Sequence, residues 1–123
     1  DLDCDYLMHS KAKPPTKSER ERFAKLKEFG CVCCFDMGLG WRLPDIHHIL
    51  SGGRRMGHRF TIPLCKWHHE GHRPEGWNDR YTNEVMGPSL KSKRRFVEYF
   101  GSEMELLDKC DELIGCKLEG VKE

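Results

Sequence analysis

The chain has 123 residues, of which 37% are hydrophobic and 33% charged, with a formal net charge of +1. That is the length of one domain, with a thin core and no run near the ~18 apolar residues of a membrane span. Residues 10–95 carry 18 Lys/Arg against 9 Asp/Glu while both ends are acidic, a balance that suits a polyanionic partner for the middle of the chain.

No charged-then-apolar leader opens the chain, which points away from secretion, and a start at Asp1 reads as a piece of something longer. Residues 1–15 lack a period and end on Pro14 and Pro15, as an arm would; His9 within it reads as solvated. Thr16 and Glu19 have capping-box spacing, and Phe23, Leu26 and Phe29, with Ala24 beside them, recur at helical intervals, so a helix is expected over 17–29. Gly30 stands where a left-handed residue would end it. GCVCCFDMG reads as a tight turn, DIHHIL as a short strand, and residues 51–57 as a glycine-rich basic loop. A second strand covers residues 60–64, with Pro63 restricting it to an edge. CKWHHE reads as a short helix weakened by Gly71, and residues 73–90 as loop. Residues 92–100 read as a helix broken by Gly101. A second capping box, Ser102 to Glu105, opens a last helix with the apolar stripe Met104, Leu107, Cys110, Leu113 and Ile114. The fold class expected is small α+β.

Seven cysteines and seven histidines are the strongest signal. An odd cysteine count without a leader argues for a reducing compartment and against a disulfide framework. Cys31-x-x-Cys34 and Cys65-x-x-His68 each supply two ligands from one turn, and together they make a Cys₃His tetrahedron for structural Zn²⁺, which would offset the thin core. Cys33 falls outside that spacing and reads as a spare thiol. His47 and His48 are adjacent on the first strand and so point to opposite faces, with separate tasks. The zinc knuckle should carry His69 towards that hairpin.

The order helix, knuckle, strand with His-His, loop, strand, knuckle, helix with His resembles the ββα-metal (HNH, or His-Me finger) nucleases. GCVCCFDMG, DIHHILSGGRRMGHRFTIPLCKWHHEGH and the later SEMELL resemble more closely the phage recombination-enhancement (Ref) nucleases, a branch of that group, over residues 16–115. The resemblance implies a ββα-metal core with a zinc knuckle and flanking helices at 16–115, between an arm at 1–15 and a tail at 116–123. It implies His48 as general base and His58 in the place of the middle Asn of HNH, orienting the base. His47 and His69 would bind one catalytic divalent ion (Mg²⁺, Mn²⁺ or Zn²⁺), with His72 a further candidate ligand, since Arg73 at the usual i+4 position cannot ligate. A rival pairing of His68 with His72 would leave the zinc one ligand short. The activity implied is hydrolysis of DNA phosphodiester bonds in phage-type recombination, with a RecA filament as partner and the bacterial cytoplasm as location.

Arg54, Arg55, Arg59, Lys66, Lys93, Arg94 and Arg95 are the candidate DNA contacts. The alternative is a zinc-binding module that grips nucleic acid through these cations without cutting it; the spare histidine His48 argues against that. A small-molecule hydrolase would need a deep apolar pocket, and the composition does not suggest one.

Overall fold

In a computed structural model that describes residues 13–115, Thr16 opens helix α1 (Lys17–Phe29) with the expected capping box. Its hydroxyl accepts from the Glu19 amide at 3.1 Å, and the Glu19 carboxylate accepts from the Thr16 amide at 2.8 Å. Most of the expected arm, the whole tail, and with them His9, Cys4 and Cys116 lie outside the described residues. The buried face of α1 is Leu26 and Arg22, while Ala24 is exposed. Arg22 is tolerated there because its guanidinium is fully engaged. It donates to the Thr61 hydroxyl and carbonyl at 3.1 and 2.6 Å and pairs with Asp111 at 2.5 Å.

Gly30 does leave the helix with positive φ, but at φ 91°, ψ −174° it is extended rather than left-handed helical. A Cβ there would stand 2.6 Å from Trp41 Cδ1. Gly30→Ala should therefore destabilise the fold by about 1–3 kcal/mol, read as a lower denaturation midpoint at unchanged slope.

The cysteine turn is in fact one turn of helix, α2 (Val32–Asp36), with Cys31 as its N-cap. Strand β1 (Asp45–His48) pairs antiparallel with β4 (Thr61–Leu64), in the register Asp45↔Leu64, His47↔Ile62 and His48↔Thr61. The glycine-rich basic segment is a hairpin rather than an open loop. β2 (Leu50–Ser51) pairs with β3 (Arg54–Arg55), and Gly52 and Gly53, at φ 60° and 82°, supply the two positive-φ positions that a two-residue turn requires. Helix α3 (Lys66–Glu70) follows β4 at once and stops at Gly71, in the left-handed region.

Residues 79–86, expected as loop, form helix α4 (Asp79–Met86), opened by the Asn78 side chain accepting from the Tyr81 amide. A 3₁₀ turn (Leu90–Ser92), α5 (Lys93–Phe100) and α6 (Glu103–Leu113) complete the chain, α6 with its capping box. The apolar side of α6 is Leu106, Leu107 and Cys110; Met104 and Leu113, expected in the stripe, are 40% and 41% exposed. The whole is a small α+β fold of two two-stranded sheets and helices. Its core joins Leu26, Val32, Ile62, Leu64, Met86 and Phe96 around the buried cysteines.

Candidate functional site

Two helix starts build the metal-binding cluster. Cys31 caps α2 and its Sγ accepts from the Cys34 amide, so both thiols face one point. Cys65 stands at the N-cap position of α3 without a side-chain cap bond, which puts His68 one turn further on. His68 Nδ1 lies 3.5, 3.8 and 3.2 Å from the sulfurs of Cys31, Cys34 and Cys65, and the Cys34 and Cys65 sulfurs are 3.8 Å apart. Ligands 2.0–2.3 Å from a tetrahedral ion stand roughly 3.3–3.8 Å from one another, so the four donors already have the spacing zinc requires. All four are buried.

His68 Nε2 donates to the Met86 carbonyl at 2.6 Å, which fixes the tautomer that offers Nδ1 inward. Without an ion, the electrostatics are those of four crowded donors that share protons. Burial opposes ionisation of Cys31, but hydrogen bonds from Cys33, Cys34, Cys65 and His68 outweigh it and hold this thiol below its usual range. Cys34, bonded to Cys31 and Cys65 and buried, is pushed up. Burial disfavours a charged His68, yet its bonds to Cys31 and Cys65 raise it to about 9. Cys31 and Cys34 are thus driven apart, one thiol down and its neighbour up; a dication at the centre would let both ionise. Cys31, Cys34, Cys65 and His68 thus form a buried potential metal site, consistent with zinc. Cys33 is fully buried in the core and outside that group.

β1 divides the remaining histidines between its two faces. On one face, His47 and His69 approach with ring centroids 5.1 Å apart. Each ring is held by a carboxylate: His47 Nε2 lies 2.8 Å from Glu103 Oε1, and His69 Nδ1 lies 2.9 Å from Asp45 Oδ2. The second oxygen of each carboxylate meets a lysine, Lys93 at 3.4 Å from Glu103 and Lys66 at 3.0 Å from Asp45. The bond to His47 holds Glu103 below the usual carboxylate range against its burial. Burial pushes Asp45 up, but His69 and Lys66 outweigh it and hold it low. Asp45, His69 and Glu70 also group closely enough to share a cation. His72 pairs with Glu70 at 3.2 Å, is 68% exposed, and joins neither donor group.

On the opposite face, His48 Nε2 lies 3.1 Å from His58 Nδ1, and His58 Nε2 donates to the Lys13 carbonyl at 2.7 Å. The Phe23 ring meets both imidazoles edge-on. Burial, then the charges of Arg55, His58 and His47, lower His48 to about 4.

Asp45 and Glu103 escaped the sequence reading. Asp45 carried a local signal, since it lies two residues before His47 and so on the same strand face. Glu103 carried none beyond an acid in the first turn of a helix. Of the expected DNA contacts, Arg54, Arg55, Arg94 and Arg95 are exposed. Arg59 is half-exposed beside Asp111, and Lys66 and Lys93 flank the His47–His69 pair.

Among the described residues, no helix is long and apolar enough to cross a membrane. Residues 15–115 match a protein-family model described as recombination enhancement, RecA-dependent nuclease. The match spans most of the chain and takes in the cysteine cluster, both faces of β1 and α6, so this chain belongs to the RecA-dependent nuclease family of recombination enhancement.

Proposed function

We propose that the chain is a divalent-metal-dependent DNA endonuclease in which β1, β4 and α3 form a ββα-metal core of the HNH type, acting in recombination on DNA paired by a RecA filament. The observation that carries this reading is the division of adjacent histidines: His47 joins His69 on one face of β1, and His48 joins His58 on the other.

The hydrogen bonds give each ring a role. The Lys13 carbonyl can only accept, so the His58 proton sits on Nε2 and its Nδ1 accepts from His48 Nε2–H. That leaves His48 Nδ1 as the basic atom, which takes a proton from the water whose oxygen attacks phosphorus. His58 holds the base in that tautomer. On the other face, the carboxylates of Asp45 and Glu103 orient His69 and His47, as carboxylates commonly do for metal-binding imidazoles. Two imidazole nitrogens, joined by phosphate and water oxygens, would suit Mg²⁺, Mn²⁺ or Zn²⁺. A divalent ion held there supplies charge stabilisation at the scissile phosphate and the leaving oxygen. Lys66 and Lys93 draw the DNA backbone to the pair, and Arg54, Arg55, Arg59, Arg94 and Arg95 extend the attraction along it.

The test is plasmid nicking with and without a RecA filament, across Mg²⁺, Mn²⁺ and Zn²⁺. Cleavage that needs a divalent ion supports the reading; DNA binding without cleavage under every combination sinks it and leaves a binding module.

The pH profile follows from His48. A base lowered to about 4 stays neutral through pH 5–8, so its protonation cuts activity only near pH 4. A metal-independent limb near pH 6.5 would contradict this assignment.

A further inference from the structure

Beside the histidine pair a groove of about 490 Å³ runs over the cysteine cluster, between the chain preceding β1 and the end of α3. Arg42, Lys66, His72 and Arg73 line it with Leu43 and Trp67, and no carboxylate does. Two of its cations are already engaged, Lys66 with Asp45 at 3.0 Å and Arg73 with Asp79 at 3.1 Å. Arg42 is different. Its Nε is buried and, among the described residues, is the one buried side-chain nitrogen or oxygen without a hydrogen-bond partner. A buried guanidinium N–H left unmade is costly, and native folds leave very few such groups. The backbone of Arg42 is anchored, because its carbonyl accepts from the amide of Cys31, one of the four clustered donors. The cluster therefore holds a cation in place with an unfilled donor.

From these observations we infer that the groove is a phosphate-binding subsite for a DNA strand, with Arg42 as its anchor. Arg42 lines the groove while its Nε is shut off from solvent, so the terminal nitrogens of the guanidinium are the donors that a phosphodiester's non-bridging oxygens would meet. Leu43, 67% exposed, gives the adjoining sugar an apolar wall. Lys66 links groove to active site: its ammonium bonds Asp45, whose other oxygen bonds His69. Arg42 and Lys66 line the same groove, so a strand held by Arg42 is placed beside the lysine that bonds Asp45. Neither Arg42 nor Arg73 is needed for the proton transfer, and the inference rests on the nuclease reading only in taking the DNA to be substrate.

The experiment measures binding of a fluorescent DNA duplex to the zinc-loaded full chain, without added divalent ion, over a range of salt. Arg42→Gln should weaken binding about tenfold and flatten the salt slope by about one counterion, with zinc content and melting temperature kept. Arg42→Lys should recover the slope but only part of the affinity, since it keeps the charge and loses the fork. An Arg42→Gln protein with unchanged affinity and slope overturns the proposal. So does one impaired only in binding inorganic phosphate, or only in binding a RecA filament that carries no duplex. If the wild type never cuts DNA but Arg42→Gln still weakens binding, the groove stands and the nuclease reading falls.

Discussion

His48→Ala should abolish strand cleavage while leaving fold, zinc content and DNA affinity near wild type. Removing a general base costs about 10² to 10⁴ in rate, and here no second imidazole can substitute. His58 is tied through Nε2 to the Lys13 carbonyl, and its Nδ1 lies 3.1 Å behind the His48 ring, a ring's width from the atom that takes the proton. His47→Ala and His69→Ala should lose as much activity by another route. Each removes one of the paired imidazoles on the other strand face, so each should weaken the hold on the divalent ion, and high concentrations of Mn²⁺ or Mg²⁺ should restore part of the rate. The comparison that decides is initial cleavage rate against metal concentration for the three variants. Rescue of His48→Ala by metal, or activity near wild type, would mean that the base lies elsewhere and that the two faces of β1 are assigned the wrong way round.

Cys65→Ser should remove the metal and the fold together. Structural zinc contributes apparent binding energies of about 10–16 kcal/mol in small domains, and a domain of this size has a total stability of about 5–15 kcal/mol. The cluster ties three segments at one point: Cys31 and Cys34 at the start of α2, Cys65 and His68 after β4, and, through His68 Nε2, the end of α4 at Met86. Without the ion, the Cys31 and Cys34 thiols, a serine hydroxyl and the His68 imidazole would be left buried together with nothing to bridge them. Metal analysis should find about one zinc in the wild type and almost none in Cys65→Ser, and the variant should show no cooperative melt. Cys33→Ser is the matched control: it lies beside the cluster, is equally buried and is not one of the four donors, so it should keep the zinc and lose only about 1–3 kcal/mol from burying a hydroxyl. Equal zinc content and equal melting in Cys65→Ser and the wild type would remove the cluster from this account.

The sequence by itself determined the features that depend on residues a few positions apart. Both capping boxes formed, because a hydroxyl and a carboxylate three residues apart meet wherever the helix starts. Within each pair the cysteine and histidine donors face one point, because a single turn separates them, while the meeting of Cys34 with Cys65, 31 residues on, took the docking of α2 against α3. The separation of His47 from His48 follows from the period of two along any strand. Other features carried weaker signals. Helix α4 was hidden among Pro74, Gly76, Gly87 and Pro88, although Asn78 is a good cap; it holds because Thr82 and Met86 are buried against the core. The partners of the site were decided by tertiary structure alone. Glu103 meets His47 from 56 residues away, and Arg22 is buried only because Thr61 and Asp111, 39 and 89 residues on, accept its hydrogen bonds. Backbone hydrogen bonding sets local spacing and is legible in one dimension. Which charge lies opposite which imidazole, and which guanidinium is left without a partner, depends on how separate elements dock, and docking is set by the packing of the whole core.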